Sequence, residues 1–399
     1  MRSWLLLGLL MLTVISNLPA LNSVEAVRGL LYLGFGLAAL FTIPFRRVLD
    51  VRLAKQYGLL MFIVLALVLP MALLGGNVPW SFLLTMAVPL ILLLISAGTT
   101  LDPGKYVFAV SGYVLLASVM GVATVLSYQI GGAVSVRYMV EGKNQVGPIL
   151  GIACILALCR LVAREEPLLV KALLGKALYM FALFVLFSSL ILVRNRTGIV
   201  AVLILAGIVL FRELRRLPLQ RRASATLITS VVLGAAILLG WMEFVGQYLW
   251  DSLTLNYDVS DPNSLSTGRV AGYAEAARFL GTYPLFGEVF SGEYLGSTAH
   301  NFLLNAWVRF GLIGAIPVGV IYLVLWGVAV LGVVRAVAGV SPEFMTACAL
   351  LFTLLVSLAE YTYPFGPGTS TAMVWFLLGQ HPVHAGSMPD RAEGQAVVL

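Results

Sequence analysis

Long apolar runs, separated by short polar breaks, occupy most of the chain. At about 20 residues per crossing of the hydrocarbon layer, they predict helices near 3–20, 27–45, 57–75, 79–97, 106–127, 147–163, 172–193, 197–212, 224–245, 302–334, 345–361 and 369–380, with ends set to within a few residues. The tenth run is long enough to begin above the lipid, and the twelfth is short. The fold expected is an all-α integral membrane protein of about twelve transmembrane helices, with residues 1–380 as one polytopic domain. One wide gap, about 246–299, reads as a large outer loop containing short helices, and a smaller outer loop is expected at about 129–145. Residues 381–399 are polar and contain glycine and proline, which predicts a disordered cytoplasmic tail.

Composition supports a lipid solvent. The chain is 60% hydrophobic and 11% charged, with a mean hydropathy of +0.98; a soluble domain carries roughly 25% charged residues. The start, Met1-Arg2-Ser3 followed by an apolar run, fits a signal peptide. Further spans follow at once, so an uncleaved first span is the reading taken. The net charge of +7 is no nucleic-acid footprint, because the basic residues lie in short loops without interleaved aromatics. Arg46, Arg47, Arg52 and Lys55 flank one loop, Arg160, Arg164, Lys171 and Lys176 a second, and Arg212, Arg215, Arg216, Arg221 and Arg222 a third. An even number of predicted spans separates these loops, which places them on one side, the cytoplasmic one. Cys154, Cys159 and Cys348 all fall in apolar runs without a Cys-x-x-Cys pair, so neither a disulfide framework nor a zinc site is expected. His381 and His384 belong to the tail, and nothing near them completes a metal set.

The cations on the opposite face carry more information. Arg194 and Arg196 sit in the turn Arg194-Asn195-Arg196-Thr197-Gly198, with Arg196 at the start of a helix and Thr197 near as a cap. A cation at a helix N-terminus opposes the macrodipole. The placement becomes favourable when an anion binds there, because backbone N–H groups and guanidinium then act together. Arg269 repeats the logic. Ser264 to Thr267 reads as a capping cluster, Val270, Tyr273, Ala274, Ala277 and Leu280 recur at helical spacing, and Gly281 and Pro284 end the run. Arg194, Arg278 and Arg309 are read first as arginines that snorkel to lipid headgroups. Arg194, with Arg137 and Lys143 of the smaller loop, is also carried as a substrate-binding candidate.

His300 is the one histidine outside the tail. Thr298 before it offers a cap for the tenth helix, which would put His300 in the first turn, where the dipole favours a neutral imidazole able to accept a proton. Gly311 and Gly314 lie about one turn apart further along, a spacing that lets a neighbouring helix approach closely. A lone histidine at a helix start also serves as a cap or a packed polar group, and an outer arginine as a headgroup contact; the weight here rests on the combination.

The string His300-Asn301-x9-Gly311-x-x-Gly314 resembles the signature of bacterial O-antigen ligases and related polysaccharide polymerases. The likeness runs over about 145–335, with Asn144-Gln145 before the sixth span, Arg196-Thr197-Gly198, Gly268-Arg269 and Pro284-Leu285-Phe286-Gly287 as shorter matches. One departure is Val200, where the pattern Arg-x3-Leu commonly has leucine. The resemblance implies a GT-C-like, metal- and cofactor-independent glycosyltransferase in the bacterial inner membrane, its active site facing the periplasm. It would move a polysaccharide from undecaprenyl pyrophosphate to a hydroxyl of lipid A–core. His300 would deprotonate the acceptor, Arg196 and Arg269 would hold the pyrophosphate, and Asn301 would contact substrate. Independently of the resemblance, a pyrophosphate leaving group needs cations or a metal, and the sequence holds no clustered Asp-x-Asp or histidine set.

A polymerase, or a ligase that glycosylates protein, shares this chemistry; one dominant outer loop instead of two favours the lipid A–core ligase. A lipid flippase or transporter would show internal repeats and ionisable residues near the bilayer midplane; here the ionisable residues sit at span ends.

Overall fold

A computed structural model describes residues 2–18, 21, 30, 33–34, 37, 52–73, 80–99, 101–130, 133–163, 169–216, 246, 260–261, 263, 268–291, 293, 295, 299–336, 341–366 and 370–380. The described residues are all-helical, with no strand among them. The helices are α1 (Arg2–Ile15), α2 (Arg52–Leu73), α3 (Trp80–Ala97), α4 (Pro103–Ile130), α5 (Ala133–Val162), α6 (Leu169–Leu192), α7 (Arg196–Arg216), α8 (Arg269–Thr282), α9 (Gly287–Ser291), α10 (Phe302–Arg335), α11 (Pro342–Ser357) and α12 (Ala372–Gln380). Five of them, α4, α5, α6, α7 and α10, contain stretches long and apolar enough to cross a membrane. This is a multi-pass, all-α membrane architecture. The predicted spans at 27–45 and 224–245, and the tail from 381, lie outside the described residues or almost wholly so.

A helix apolar on every side belongs in the middle of a bundle. The stretch of α5 from Val146 to Cys159 is buried throughout, and α4, α6, α7 and α11 pack around it. Bare glycine backbone permits two of these approaches: Gly151 receives the Phe352 ring of α11, and Gly147 receives the Asn195 side chain that opens α7. All three cysteines are free and buried, Cys159 meeting Cys348 between α5 and α11. At the same end of the bundle the Arg212 guanidinium lies 4.2 Å from the Phe344 ring centre and donates to the Val333 carbonyl at 2.7 Å. Arg160 reaches the Tyr179 hydroxyl, and Arg216 pairs with Glu213 at 2.9 Å. The described basic residues of the second and third loops thus share one end.

One expectation about the elements changes. The smaller outer loop at 129–145 is largely helical, because α5 begins at Ala133. Polarity marked that segment as lying outside an apolar span, but with no proline between Ala133 and Pro148 nothing breaks the helix. The last predicted span, 369–380, is described as α12 over Ala372–Gln380, and residues 367–369 and those from 381 lie outside the described residues. α12 is buried from Ala372 to Gly379 and clasped to α3, with Ser96 Oγ donating to the Phe376 carbonyl at 2.6 Å and Gln380 Nε2 to the Thr99 carbonyl at 2.7 Å.

Candidate functional site

The end of the bundle away from Arg212 carries a small second layer. Ala276 and Leu280 of α8 pack with Ala299 and with Val308 of α10, flanked by Phe279, Leu295 and Leu304. The turn Pro284–Phe286 and helix α9 complete it. Tenth-helix geometry explains why the layer docks. α10 is interrupted at Gly311, whose φ of 62° and ψ of −176° belong to a region essentially reserved for glycine. Breaking the helix frees two amides from their own ladder. Leu312 N–H donates to the Pro284 carbonyl at 3.0 Å and Ile313 N–H to that of Leu285 at 3.5 Å. Trp307 Nε1 reaches the same Pro284 carbonyl at 2.8 Å. Gly287, at φ 59°, lies so close that a Cβ there would collide with the Gly311 backbone.

Gly311 is therefore a break that receives the Pro284–Gly287 turn, and not the shallow face for a neighbouring helix that its spacing predicted. Gly314 gives room to Phe310 of its own helix, folded across the break. Arg309 is corrected as well. It forms an ion pair with Glu288 of α9, the side chains 15% and 4% exposed, instead of reaching headgroups. Glu288 also accepts from Leu295 N–H at 3.0 Å.

Within this frame Arg269 is the first residue of α8, the end where a cation is disfavoured. Its opening differs in detail from the predicted Ser264–Thr267 cap, whose residues lie outside those described. Gly268 occupies the cap position at φ 81° without a side-chain cap, and the Asn263 side chain takes the Ala271 N–H at 3.0 Å. Arg269 meets an anion, but one from the protein itself: Nη2 donates to Glu360 Oε1 at 2.6 Å. Glu360 follows the C-terminus of α11 and is 7% exposed, against 20% for Arg269. The other oxygen, Oε2, lies 3.8 Å from His300 Nδ1, beyond hydrogen-bond reach. Arg269 Nε and His300 Nδ1 are both buried without a hydrogen-bond partner. One carboxylate thus stands between the two principal candidates.

The cap of α10 also moves. Thr298 lies outside the described residues, and the cap is Asn301, extended at φ −149°, whose Oδ1 accepts from Leu304 N–H at 3.0 Å. His300 consequently stands before the helix, not in its first turn, and the dipole argument for it falls away. Its position is fixed otherwise: the Tyr273 hydroxyl donates to its carbonyl at 2.9 Å and the Tyr361 ring lies edge-on at 5.8 Å. Asn301 spends the other end of its amide on the Leu358 carbonyl at 3.1 Å, joining α10 to the end of α11. With Nδ1 turned into the protein and the ring 36% exposed, Nε2 is the nitrogen left for an incoming hydroxyl.

Arg196 opens α7, capped by Asn195 and not by Thr197: Asn195 Oδ1 accepts from Gly198 N–H at 2.7 Å and from the Thr197 hydroxyl at 3.3 Å. Its relation to the other candidates is one of level. Arg212 and Phe344 touch at the far end; Arg196 stands sixteen residues from Arg212, about 24 Å, and Ser357 thirteen from Phe344, about 20 Å. Arg196 and the end of α11 therefore reach similar heights. Arg194 is exposed, with a positive φ of 56°. Arg137 and Lys143 lie on α5, at its end nearer this layer.

Glu360 is the residue that sequence reasoning passed over. A signal existed: it is an acidic side chain inside the predicted 345–361 span, where ionisable groups are rare and usually paired. No protein-family profile matches the chain, and no curated protein matches it.

Proposed function

We propose that the protein is a polytopic glycosyltransferase of the O-antigen ligase type. It moves a glycan from undecaprenyl pyrophosphate to a hydroxyl of lipid A–core at the periplasmic face of a bacterial inner membrane, through a fold of about twelve spans. The observation that carries this reading is the convergence of Arg269 and His300 on Glu360, beside a buried Arg269 Nε with a donor to spare. A helix N-terminus that presents a guanidinium suits a diphosphate. In the reaction the acceptor oxygen forms a bond to the anomeric carbon as the bond from that carbon to the diphosphate breaks, and the diphosphate leaves with the electron pair. The acceptor proton passes to His300 Nε2. Arg269 and Arg196 offset the charge that grows on the leaving group, with Asn301, Arg194, Lys143 and Arg137 at the edges of the two substrates. No cofactor or metal enters this scheme.

The test is purified full-length protein given lipid-linked glycan and lipid A–core. His300→Ala is expected to abolish transfer while the protein stays in the membrane, and Arg269→Lys to remain impaired because a point charge lacks the guanidinium fork. Full activity in either variant would defeat its assignment. In cells, loss of the protein should leave uncapped core and accumulated lipid-linked polymer; single repeats on the core would mean a polymerase, and intact surface glycolipid with unglycosylated protein a protein ligase.

A further inference from the structure

The contact between Arg269 and Glu360 is an incomplete one. Arginine–carboxylate pairs commonly use two parallel N–H donors. Here Nη2 alone reaches Glu360 Oε1, at 2.6 Å, while the buried Nε has no partner. The carboxylate is equally half-used, since Oε2 points toward His300 Nδ1 and stops at 3.8 Å. About 1 Å separates that gap from a hydrogen bond. Glu360 lies beyond the last turn of α11, among residues outside the helical ladder, so its side chain can shift by such a distance without unwinding a helix.

Resting on the reading above, we propose that Glu360 holds in the free protein the place on Arg269 that the donor's diphosphate takes, and that donor binding passes the carboxylate to His300. A diphosphate offers oxygens to both Nη2 and Nε and so outcompetes a one-point carboxylate. Displaced Glu360 is 7% exposed and needs a new partner. The groups facing it are Arg269 and Tyr273 of α8, His300 before α10, and Tyr363 in its own segment. Tyr273 already donates to the His300 carbonyl. His300 Nδ1 is unpaired and 3.8 Å from Oε2, and it becomes the carboxylate's partner. The hydrogen bond fixes the proton on Nδ1 and leaves Nε2 free to accept, and it steadies the imidazolium formed when the acceptor hydroxyl gives up its proton. Glu360 is thus a positioning residue that arms the base when the donor is present. Donor binds before acceptor.

Two measurements test this on the full chain. The protein has three histidines, and the other two, His381 and His384, belong to the C-terminal segment 381–399. A His381→Gln/His384→Gln protein labelled with nitrogen-15 histidine therefore reports His300 alone. On titration with undecaprenyl pyrophosphate in nanodiscs, the Nδ1 resonance should move to the hydrogen-bonded position at saturation. Binding without that movement overturns the hand-over and leaves the donor reading standing; failure to bind removes the donor reading itself. In turnover, Glu360→Gln should lower kcat about 10- to 100-fold, the usual scale for losing a residue that orients a reacting group. Donor KM should fall at the same time, because Arg269 no longer has a charged competitor. A kcat loss accompanied by a rise in donor KM would make Glu360 a mere support for Arg269, and an unchanged kcat would remove it from the mechanism.

Discussion

Gly311→Ala tests the architecture on which the site depends. The residue sits at φ 62° and ψ −176°, and an alanine Cβ there would drive into the Leu285 carbonyl and the Phe286 backbone. Holding a non-glycine residue in that region costs on the order of 1–3 kcal/mol. If the helix straightens to escape the strain, Leu312 and Ile313 return to their own ladder. The Pro284 and Leu285 carbonyls then lose their amide donors, at about 1 kcal/mol each. Either route weakens docking of the outer layer by about 1–3 kcal/mol. Gly319→Ala is the matched control: same helix, open space around the added methyl, and a gain of up to about 1 kcal/mol from helix propensity. Native-state hydrogen exchange read by mass spectrometry should show residues 284–310 exchanging about 5- to 150-fold faster in Gly311→Ala, the equivalent of that energy range. The helices of the bundle core should stay protected, and transfer activity should fall with the loss of registry between His300 and Arg269. Unchanged exchange across 284–310 would refute the role given to the break.

Three further outcomes follow from local geometry. Arg309→Met strands the buried Glu288 and should lower stability by about 3–5 kcal/mol, whereas Arg309→Met with Glu288→Gln should recover most of it in thermal unfolding; additive losses would deny the coupling. Gly147→Ala places a methyl on the Asn195 amide and should cost about 1–3 kcal/mol by denaturant titration, less when Asn195→Ala is already present; equal losses in both backgrounds would show that the two do not meet. Burial lifts the Tyr273 hydroxyl above its usual value near 10, with Arg269 pulling it back and Glu360 pushing it up. A phenol raised by folding contributes stability below the unfolded value, which is lost as pH rises through the folded one. Tyr273→Phe should therefore cost about 1 kcal/mol near neutrality and flatten the stability loss above about pH 10; an unchanged alkaline slope would oppose this.

Much of the frame was legible in apolar run lengths, because a helix in lipid must satisfy its own backbone and so writes its length into the sequence. The limits of that signal are equally physical. Residues 133–145 carry polar side chains yet remain helical, since polarity reports the surroundings of a helix and not its end. The caps went astray for a related reason. Thr197, Thr298 and the Ser264–Thr267 cluster suit capping by composition, but Asn195 accepts the amide that opens α7, and the turns place Asn301 and Gly268 at the extended and left-handed cap positions. Arg269 at the head of its helix was readable because the apolar period of α8 begins beside it. Glu360 was marked only as an ionisable group inside a predicted span; its partner lies 91 residues away, in a contact that no local pattern encodes.

That long-range contact also explains why a glycine break belongs in this site. Arg269 and His300 belong to the outer layer, tied together by the Tyr273 bond and the Ala276–Val308 packing. Glu360 belongs to the bundle, at the end of a helix whose core half is wholly buried. A continuous tenth helix would keep the Leu312 and Ile313 amides in its own ladder and offer the Pro284–Gly287 turn nothing to dock on. The break at Gly311 holds the layer to the bundle by backbone hydrogen bonds from Leu312 and Ile313. The separation of 3.8 Å between Glu360 and His300 depends on how the two halves are held together. In the proposed reaction Gly311 thus acts without touching substrate, by setting how far the carboxylate must travel.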